Sequence, residues 1–336
     1  MGYRPVYARM SGVGRKGVVV LMLVGFGCVI LSALFFGSLG PAERVAFGYG
    51  VTPAGVSLVR AVVGAVVIGS YALFREPSAL VPGVRDSWKF ALAGLFGVVF
   101  VYYLSNIAFV TIPVGLTVIL FYTNPIWTAL GAAAMGKEPF TRARAAALVA
   151  GLAGVWIAVG GTGGAKVGEL DMTGVALAVV SGVGFSFYIL NSRYGTGRER
   201  PFKTFVQMFL WGALMMLAIV LYSREMPDFR DLPLPALLSL VHLALFPTLV
   251  SYGLISFALK YIPGTVASIT SMSEIIFAGV MAWVFLDEVP SPDQIRGGLL
   301  IVTAVLLLLM EGRISRSGSE GDKKRGPLQR GPRDAA

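Results

Sequence analysis

Cysteine, histidine and charged residues are all scarce in this chain. Its 336 residues include one cysteine, Cys28, and one histidine, His242. A single cysteine excludes both an intramolecular disulfide and a cysteine metal cluster, and we predict neither a metal nor a cofactor. Charged residues make up 14% of the chain, against about 25% in an average soluble domain. Together with a mean hydropathy of +0.76, this composition predicts a membrane protein.

Motifs of common enzyme classes are also missing. The sequence has no GxxxxGK[ST] phosphate loop, so the chain is not expected to use ATP itself. A glycine run from Gly160 to Gly164 lacks the strand and helix of a dinucleotide site, and no HExxH or Ser-His-Asp setting is found. An enzyme is therefore not predicted. The net charge of +10 lies in short loops and the tail rather than on a folded basic face, which does not indicate a nucleic-acid partner.

Long apolar blocks, in contrast, are abundant. Each holds about 20 residues, enough to cross a hydrocarbon core of roughly 30 Å as a helix. The first block lacks a convincing cleavage signal, so we interpret it as a retained helix. The sequence predicts an all-α polytopic membrane protein with ten transmembrane helices, at 17–38, 53–73, 89–110, 113–135, 143–161, 173–192, 204–222, 235–259, 263–286 and 294–311.

Most lysine and arginine residues lie on one side of the membrane when the ten predicted spans are threaded through it. With the N-terminus in the cytoplasm, 22 of the 28 basic residues lie in cytoplasmic segments and five on the opposite side. Cytoplasmic loops carry such an excess, so both termini are expected in the cytoplasm and the protein in a prokaryotic-type plasma or inner membrane. We divide the chain into a basic leader (1–16), a first five-helix repeat (17–161), a second (172–312) and a basic tail (313–336), predicted to be disordered from about Ser315.

Two stretches of the chain repeat each other. Residues 262–301 align without a gap on residues 112–151, at a constant offset of 150. The matched pairs are Ile112 and Ile262, Pro113 and Pro263, Asn124 and Glu274, and Glu138 and Glu288. Five spans per copy is an odd number, so the copies cross the membrane in opposite senses. Inverted repeats of this kind are typical of secondary transporters, whose substrate site lies between the repeats near the midplane.

The second copy carries a family resemblance. Its residues Ala258 to Ile269, Ser273-Glu274 and Trp283 to Glu288 resemble the EamA branch of the drug/metabolite transporter superfamily. The resemblance spans about 17 to 312 and implies a ten-helix carrier of small metabolites, with a central cavity lined by spans 1, 3, 4, 6, 8 and 9. This family commonly has proline after the span-9 glutamate, where this chain has Ile275, so the kink that the family pattern would imply there does not carry over to this chain.

Glu274 and Asn124 occupy equivalent depths in the two copies. An ionisable residue in mid-membrane is costly and therefore a functional candidate, so Glu274 either titrates a proton or binds a substrate amine, or it holds neighbouring helices together. Pro125 leaves the carbonyl of Phe121 without its helical partner, which predicts a kink and a free acceptor beside Asn124. Pro247 repeats this argument in span 8.

Other polar and aromatic residues suit an organic substrate with an apolar body and a polar head. Tyr102 and Asn106 fall on Tyr252 and Ser256 at the same offset, so we expect them on facing walls of one cavity. The predicted substrate-binding residues are Ser32, Tyr102, Asn106, Asn124, Trp127, Tyr188, Asn191, Tyr252, Ser256 and Glu274. Tyrosines near span ends, such as Tyr71, Tyr122, Tyr222 and Tyr261, are interpreted as interfacial.

Two basic side chains lie within spans. His242 has an unperturbed pKa near 6.5 and joins Glu274 as a candidate for proton coupling, although a structural role is the favoured interpretation. Arg60 either snorkels or pairs with a carboxylate that the sequence does not identify. We interpret it as structural.

The leading hypothesis is a secondary transporter that moves small metabolites by alternating access. Export of amino acids or related solutes follows by family analogy alone. Its partners would be a small-molecule substrate and the lipid bilayer; the oligomeric state is not predicted. One alternative is a noncatalytic scaffold that recruits partners through its basic tail, Lys323 to Arg333. A sugar-phosphate-type anion exchanger is a further alternative, but only Lys260 and Arg60 are candidates for its inward basic residues.

Overall fold

The computed structural model describes residues 15–83, 87–160, 171–195, 201–227, 229–286 and 289–324, and the regular elements within these ranges are helical. The helices are α1 (Arg15–Gly37), α2 (Leu39–Gly48), α3 (Pro53–Arg75), α4 (Ser87–Gly94), α5 (Ser105–Thr111), α6 (Val114–Phe121), α7 (Asn124–Ala134), α8 (Arg142–Ala158), α9 (Met172–Tyr194), α10 (Pro201–Ser223), α11 (Leu234–Leu243), α12 (Ser251–Ala258), α13 (Gly264–Ser271), α14 (Glu274–Leu286) and α15 (Pro292–Lys324). Two π-helical segments, Leu95–Leu104 and Ala244–Val250, join α4 to α5 and α11 to α12.

These elements form the predicted spans. Nine helical stretches of the described chain are long and apolar enough to cross a membrane. Spans 1, 2, 5, 6, 7 and 10 are α1, α3, α8, α9, α10 and α15; spans 3, 4, 8 and 9 are α4–α5, α6–α7, α11–α12 and α13–α14. The remaining predicted span is α8, whose 17 residues make it too short to be counted among these nine stretches. Helix α15 continues to Lys324, into the segment for which the sequence predicts disorder.

Several helix starts follow from local sequence. Thr52 precedes Pro53 and its hydroxyl accepts the amide N–H of Gly55 at 3.1 Å, while Thr141 accepts that of Arg144 at 3.2 Å. Such caps satisfy amide groups that a helix leaves unpaired at its N-terminus. Helix α2 was not predicted. It begins directly after Ser38 and extends span 1, so the first long helical stretch runs from Gly17 to Gly48.

Both copies of the repeat share the same irregularities. Spans 3 and 8 each contain a π-helical segment, and spans 4 and 9 are each interrupted by a two-residue turn, Tyr122–Thr123 and Met272–Ser273. Packing repeats as well: span 1 contacts spans 8 and 9, span 6 contacts spans 3 and 4, span 2 packs on span 7, and span 5 packs on span 10. The chain therefore has a two-repeat, inverted architecture. The turn in span 9 forms without a proline after Glu274.

Span 5 and span 10 approach each other at two glycines. A Cβ atom on Gly297 would lie 2.3 Å from the carbonyl oxygen of Gly154, so only glycine allows this contact. Lipid supplies no hydrophobic driving force for the association of two helices. Small residues favour association instead, because they let the two backbones approach closely. Near the far end of the same pair, Arg144 Nε lies 3.4 Å from a carboxylate oxygen of Glu311.

Candidate functional site

A cavity of about 1050 Å³ extends from the middle of the bundle to the end that carries α2. Its deepest lining residues include Tyr252, Phe185 and Glu274, and it reaches Val159 and Pro290 at the helix ends. Spans 1, 3, 4, 6, 8 and 9 all contribute, as the family resemblance implies. Helices α2, α3, α8 and α15 contribute too. The walls are largely apolar and contain two arginines and two glutamates among the described residues: Glu43, Arg44, Arg60 and Glu274.

Glu274 lies in the cavity wall at the first residue of α14, directly after the turn in span 9. The hydroxyl of Tyr122 donates a hydrogen bond to Glu274 Oε2 at 2.6 Å. Tyr122 belongs to the matching turn in span 4, so the two interrupted spans meet at this contact. The interpretation of Tyr122 as an interfacial tyrosine was wrong, because its side chain is 3% exposed and donates to the half-buried carboxylate of Glu274.

Arg60 lies in the same cavity wall, paired with Glu43. Its Nη1 is 3.0 Å from Glu43 Oε1, and its Nε donates to Thr248 Oγ1 at 3.0 Å. The guanidinium carbon lies 4.3 Å from the centroid of the Tyr102 ring, within the range of a cation–π interaction. Glu43 was not predicted as a functional residue, because it lies in the connection between predicted spans 1 and 2. An amphipathic helix after Ser38 turns Glu43 toward Arg60.

The carbonyl groups freed by the two prolines are not free acceptors, contrary to the prediction. Asn124 Nδ2 donates to the carbonyl of Phe121 at 3.1 Å. Beside Pro247, the hydroxyl of Thr248 donates a hydrogen bond to the carbonyl of Leu243 at 2.8 Å. Asn124 is fully buried, and its own carbonyl accepts the hydroxyl of Ser186 at 2.7 Å. The side chain of Asn124 therefore completes a broken helix rather than facing the cavity.

Of the predicted substrate-binding residues, Tyr252 and Glu274 line this cavity and the other eight do not. Tyr102 and Tyr252, the repeat-related pair, approach each other with ring centroids 5.7 Å apart, but Tyr102 lies behind the wall. Tyr188 donates to the carbonyl of Tyr252 at 2.6 Å and bonds Ser256 Oγ at 2.9 Å.

The remaining predicted residues hold helices together or lie outside the cavity. Asn106 Nδ2 donates to Ser57 Oγ at 3.1 Å, and the hydroxyl of Ser32 donates to the carbonyl of Ser251 at 3.1 Å. Trp127 is 39% exposed, and Asn191 is half-buried near the end of α9. These positions do not line the cavity, and a helical face alone does not reveal which neighbour covers it.

His242 lies away from the cavity lining. Its Nε2 is 2.8 Å from Ser38 Oγ, and its ring lies 5.2 Å from that of Phe246. The histidine thus fastens the junction of α1 and α2 to span 8. This geometry agrees with the favoured structural interpretation.

The opposite end of the bundle is held closed by buried charges. Glu138 accepts the amide N–H of Gly264 at 2.6 Å, pairs with Arg144 at 2.9 Å and accepts the Tyr194 hydroxyl. Arg144 also pairs with Glu311. We name these five residues the Glu138 cluster. It joins spans 4 and 5 of the first repeat to spans 6, 9 and 10 of the second. Glu288, the repeat mate of Glu138, lies outside the described residues.

In the part of the chain that the structure describes, no group of three or more histidine, cysteine, aspartate or glutamate side chains could hold a metal ion. The cavity wall itself offers the Arg60–Glu43 ion pair, the carboxylate of Glu274 and aromatic rings. Such a cavity can bind a small organic molecule by its polar groups while covering its apolar body.

Known proteins are similar to this chain in sequence or in fold. An uncharacterized transporter of Bacillus subtilis, YdfC, is 24% identical over 257 residues, 76% of this chain and 81% of YdfC. A protein named probable terminal-alkyne amino-acid exporter, from Streptantibioticus cattleyicolor, is 30% identical over 285 residues, 83% of this chain and 91% of the exporter. One crystal structure of a protein superposes with a TM-score of 0.71 at 19% identity, covering 88% of this chain and 98% of that chain.

The model of the EamA-like transporter family matches residues 23–160 and 172–310. The two matched ranges correspond to the two repeats seen in the helices, and together they cover most of the chain. This multi-pass membrane protein therefore belongs to the EamA-like transporter family.

Proposed function

We propose that this transporter is a secondary carrier that exports amino acids or related small organic solutes by alternating access. The observation that carries the proposal is the shape of the central space. A cavity reaches one end of the bundle, while the Glu138 cluster closes the other end. An inverted repeat has two equivalent gates, so rocking of the repeats would open the closed end and close the open one.

The choice of amino acids has two supports. A relative that matches 83% of this chain is named as a probable exporter of a terminal-alkyne amino acid. Independently, the cavity combines apolar walls with both acidic and basic side chains. A phosphate carrier would need a cavity dominated by positive charge, whereas Glu43 and Glu274 balance Arg44 and Arg60 here. Lys260 is exposed and lies 5.1 Å from the ring centroid of Phe257, outside the cavity lining.

The side to which the cavity opens follows from the proposed orientation. The distribution of lysine and arginine favours both termini in the cytoplasm of a prokaryotic-type plasma membrane. The cavity end of the bundle then faces outward and the Glu138 cluster faces inward. Glu274 is the proposed proton-coupling residue, because it is the carboxylate in the cavity wall without an ion-pair partner among the described residues.

Counterflow in proteoliposomes tests the proposal. Purified protein is assayed with a panel of labelled amino acids, sugars, nucleosides and cationic drugs, and with Glu274→Gln beside it. We expect exchange of amino acids by the wild type, and loss of acceleration by a pH gradient in Glu274→Gln. Glu225→Gln, an exposed position outside the cavity lining, should keep both properties.

Two outcomes would contradict the proposal. If the wild type moves no solute of the panel, the protein is not a carrier of these classes. If Glu274→Gln retains pH-driven transport, Glu274 is not the coupling residue. A version lacking residues 315–336 separates the carrier from the scaffold hypothesis, because a carrier should keep its transport without the basic tail.

A further inference from the structure

The cavity wall holds one carboxylate and one guanidinium that both retain unused hydrogen-bonding capacity. Among the described residues, Glu274 receives one hydrogen bond, on Oε2 from Tyr122. Arg60 carries five N–H groups, and two of its nitrogens have hydrogen-bond partners, Glu43 and Thr248. Both side chains line the same space. Each can therefore accept a further partner of opposite charge from the cavity.

Both charged groups are held in place before any ligand arrives. Arg60 is 3% exposed and is fixed by Glu43, Thr248 and the ring of Tyr102. Glu274 is fixed by Tyr122. Polar groups oriented in advance lose little conformational entropy on binding, and a largely apolar cavity strengthens their interaction with an ionic ligand.

Aromatic rings connect the two charged groups. Tyr102, beneath Arg60, contacts Tyr252 at 5.7 Å between ring centroids, and Tyr252 contacts Phe185 at 6.1 Å. Phe185 contacts Phe121 at 5.6 Å, and Phe121 contacts Tyr122, the partner of Glu274, at 5.5 Å. A ligand that reached both charges would contact the rings of this series that line the cavity, those of Tyr252, Phe185, Phe121 and Tyr122.

The mixed charge makes the cavity a poor site for a simple ion. An anion without an ammonium group would bind Arg60 but meet the carboxylate of Glu274 without compensation. A cation without a carboxylate would bind Glu274 but leave the remaining N–H groups of Arg60 without an acceptor. Groups left without a partner in this way discriminate against the wrong ligand as effectively as attraction selects the right one. A zwitterion satisfies both groups.

We propose that this cavity recognises its substrate as a zwitterion: the ammonium group binds Glu274, the carboxylate binds Arg60, and the apolar side chain packs against the aromatic rings of the cavity wall. The substrate class is thus free amino acids with apolar side chains, rather than amines, carboxylic acids or amino-acid amides. This inference rests on the proposed function of amino-acid transport, and it assigns to Arg60 a binding role beyond its structural pairing with Glu43.

Competition with analogues that lack one charge tests the inference. In counterflow with labelled leucine, leucinamide lacks the carboxylate and 4-methylpentanoate lacks the ammonium group. We expect unlabelled leucine to compete at least about tenfold more strongly than either analogue, because charge-assisted hydrogen bonds are the stronger ones. Thermal stabilisation of the detergent-solubilised protein by the same three compounds gives a readout that does not depend on transport.

Two variants separate the two charged groups. Glu274→Gln should narrow the difference between leucine and 4-methylpentanoate, and the double variant Arg60→Gln with Glu43→Gln should narrow the difference between leucine and leucinamide. The double change avoids leaving Glu43 buried alone. Arg296→Gln, which removes an arginine that is 71% exposed and paired with Asp293, should keep the wild-type ranking.

The outcomes distinguish this inference from the proposed function. Leucine transport with equal competition by leucinamide or 4-methylpentanoate would overturn the zwitterion site and leave the carrier intact. Variants that weaken competition by all three compounds by one common factor would overturn the zwitterion site too, since such an effect is structural. Failure of the wild type to move leucine or any other amino acid would overturn both.

Discussion

Arg60 and Glu43 illustrate how this bundle carries charge in its interior. Their side chains are 4% and 8% exposed and lie 3.0 Å apart. Charges inside a membrane protein are expensive and pair with one another or with polar groups. The Glu138 cluster and the Glu274–Tyr122 contact follow the same rule. A single substitution in any of these pairs therefore leaves a buried group without its partner.

Replacing Arg60 with methionine should be strongly destabilising. Removing one member of a buried ion pair costs about 3–5 kcal/mol, because the remaining charge is uncompensated. We expect Arg60→Met to lower the midpoint of thermal unfolding in detergent, and the double variant Arg60→Met with Glu43→Gln to recover most of that loss. Tryptophan fluorescence during heating measures both.

An exposed ion pair provides the control for this prediction. Arg296 and Asp293 are 71% and 58% exposed, and such pairs contribute less than about 1 kcal/mol. Arg296→Met should therefore leave the unfolding midpoint almost unchanged. A double variant at Arg60 and Glu43 that is no more stable than Arg60→Met would show that the lost charge pairing is not the cause.

Single residues differed in how well the sequence revealed them. Glu274 was predictable, because a carboxylate in the middle of an apolar span has few explanations. Its partner Tyr122 was not, because the sequence places this tyrosine in a span without showing which span it touches. Glu43 was missed for a related reason: its burial depends on α2, and a ten-residue helix after a span resembles a loop in composition. Tertiary contacts, rather than local patterns, assign such partners.

At the scale of elements, close packing of α8 on α15 depends on glycine. A Cβ on residue 297 would lie 2.3 Å from the carbonyl oxygen of Gly154 and 2.5 Å from the amide nitrogen of Ala158. Both are backbone atoms, so the helices would have to separate. We expect Gly297→Ala to destabilise the protein by about 1–3 kcal/mol, the typical effect of overpacking, as a lower unfolding midpoint in detergent.

Gly27 provides the matched control for that change. It lies within α1, and a Cβ there would meet nothing within 4 Å. Alanine gains up to about 1 kcal/mol over glycine in a helix, so Gly27→Ala should leave the midpoint unchanged or raise it. Equal losses from both substitutions would point to a general sensitivity of helical glycines rather than to the contact between α8 and α15.

Most span ends were predicted to within a few residues, because apolar length is a direct requirement of the bilayer. The end of α15 was not, since this helix continues to Lys324. Their interruptions were only partly predictable. Pro125 and Pro247 predicted interruptions of the helices in spans 4 and 8. Span 9, however, has a turn without a proline, and span 3 has a π-helical segment without a proline. The repeat, rather than the local sequence, accounts for these two: each matches an irregularity in the other copy.

At the scale of the whole molecule, the Glu138 cluster holds together the end of the bundle opposite the cavity. Glu138 is 6% exposed and accepts two amide groups at the start of α13, from Gly264 and Thr265. It also pairs with Arg144. In the proposed alternating-access cycle these bonds would break when the same end opens, so they would stabilise the arrangement seen here. Substituting Glu138 should therefore shift the balance between the two arrangements.

Thiol labelling measures this shift. In a Cys28→Ser background, a cysteine at Ser268 reports on α13 near the closed end, where it is fully buried, and one at Val118 reports on the cavity wall. We expect Glu138→Ala to raise modification of the first cysteine about tenfold, which corresponds to ~1.4 kcal/mol, and to slow modification of the second. Glu138→Gln, which keeps an oxygen acceptor for the amide groups, should give a smaller change of the same signs. Glu225→Gln serves as the control.

Opposite changes at the two reporters distinguish rocking of the repeats from unfolding, because unfolding exposes both cysteines together. Faster labelling at both sites, or no change at either, would contradict the assignment of the Glu138 cluster as the closed gate.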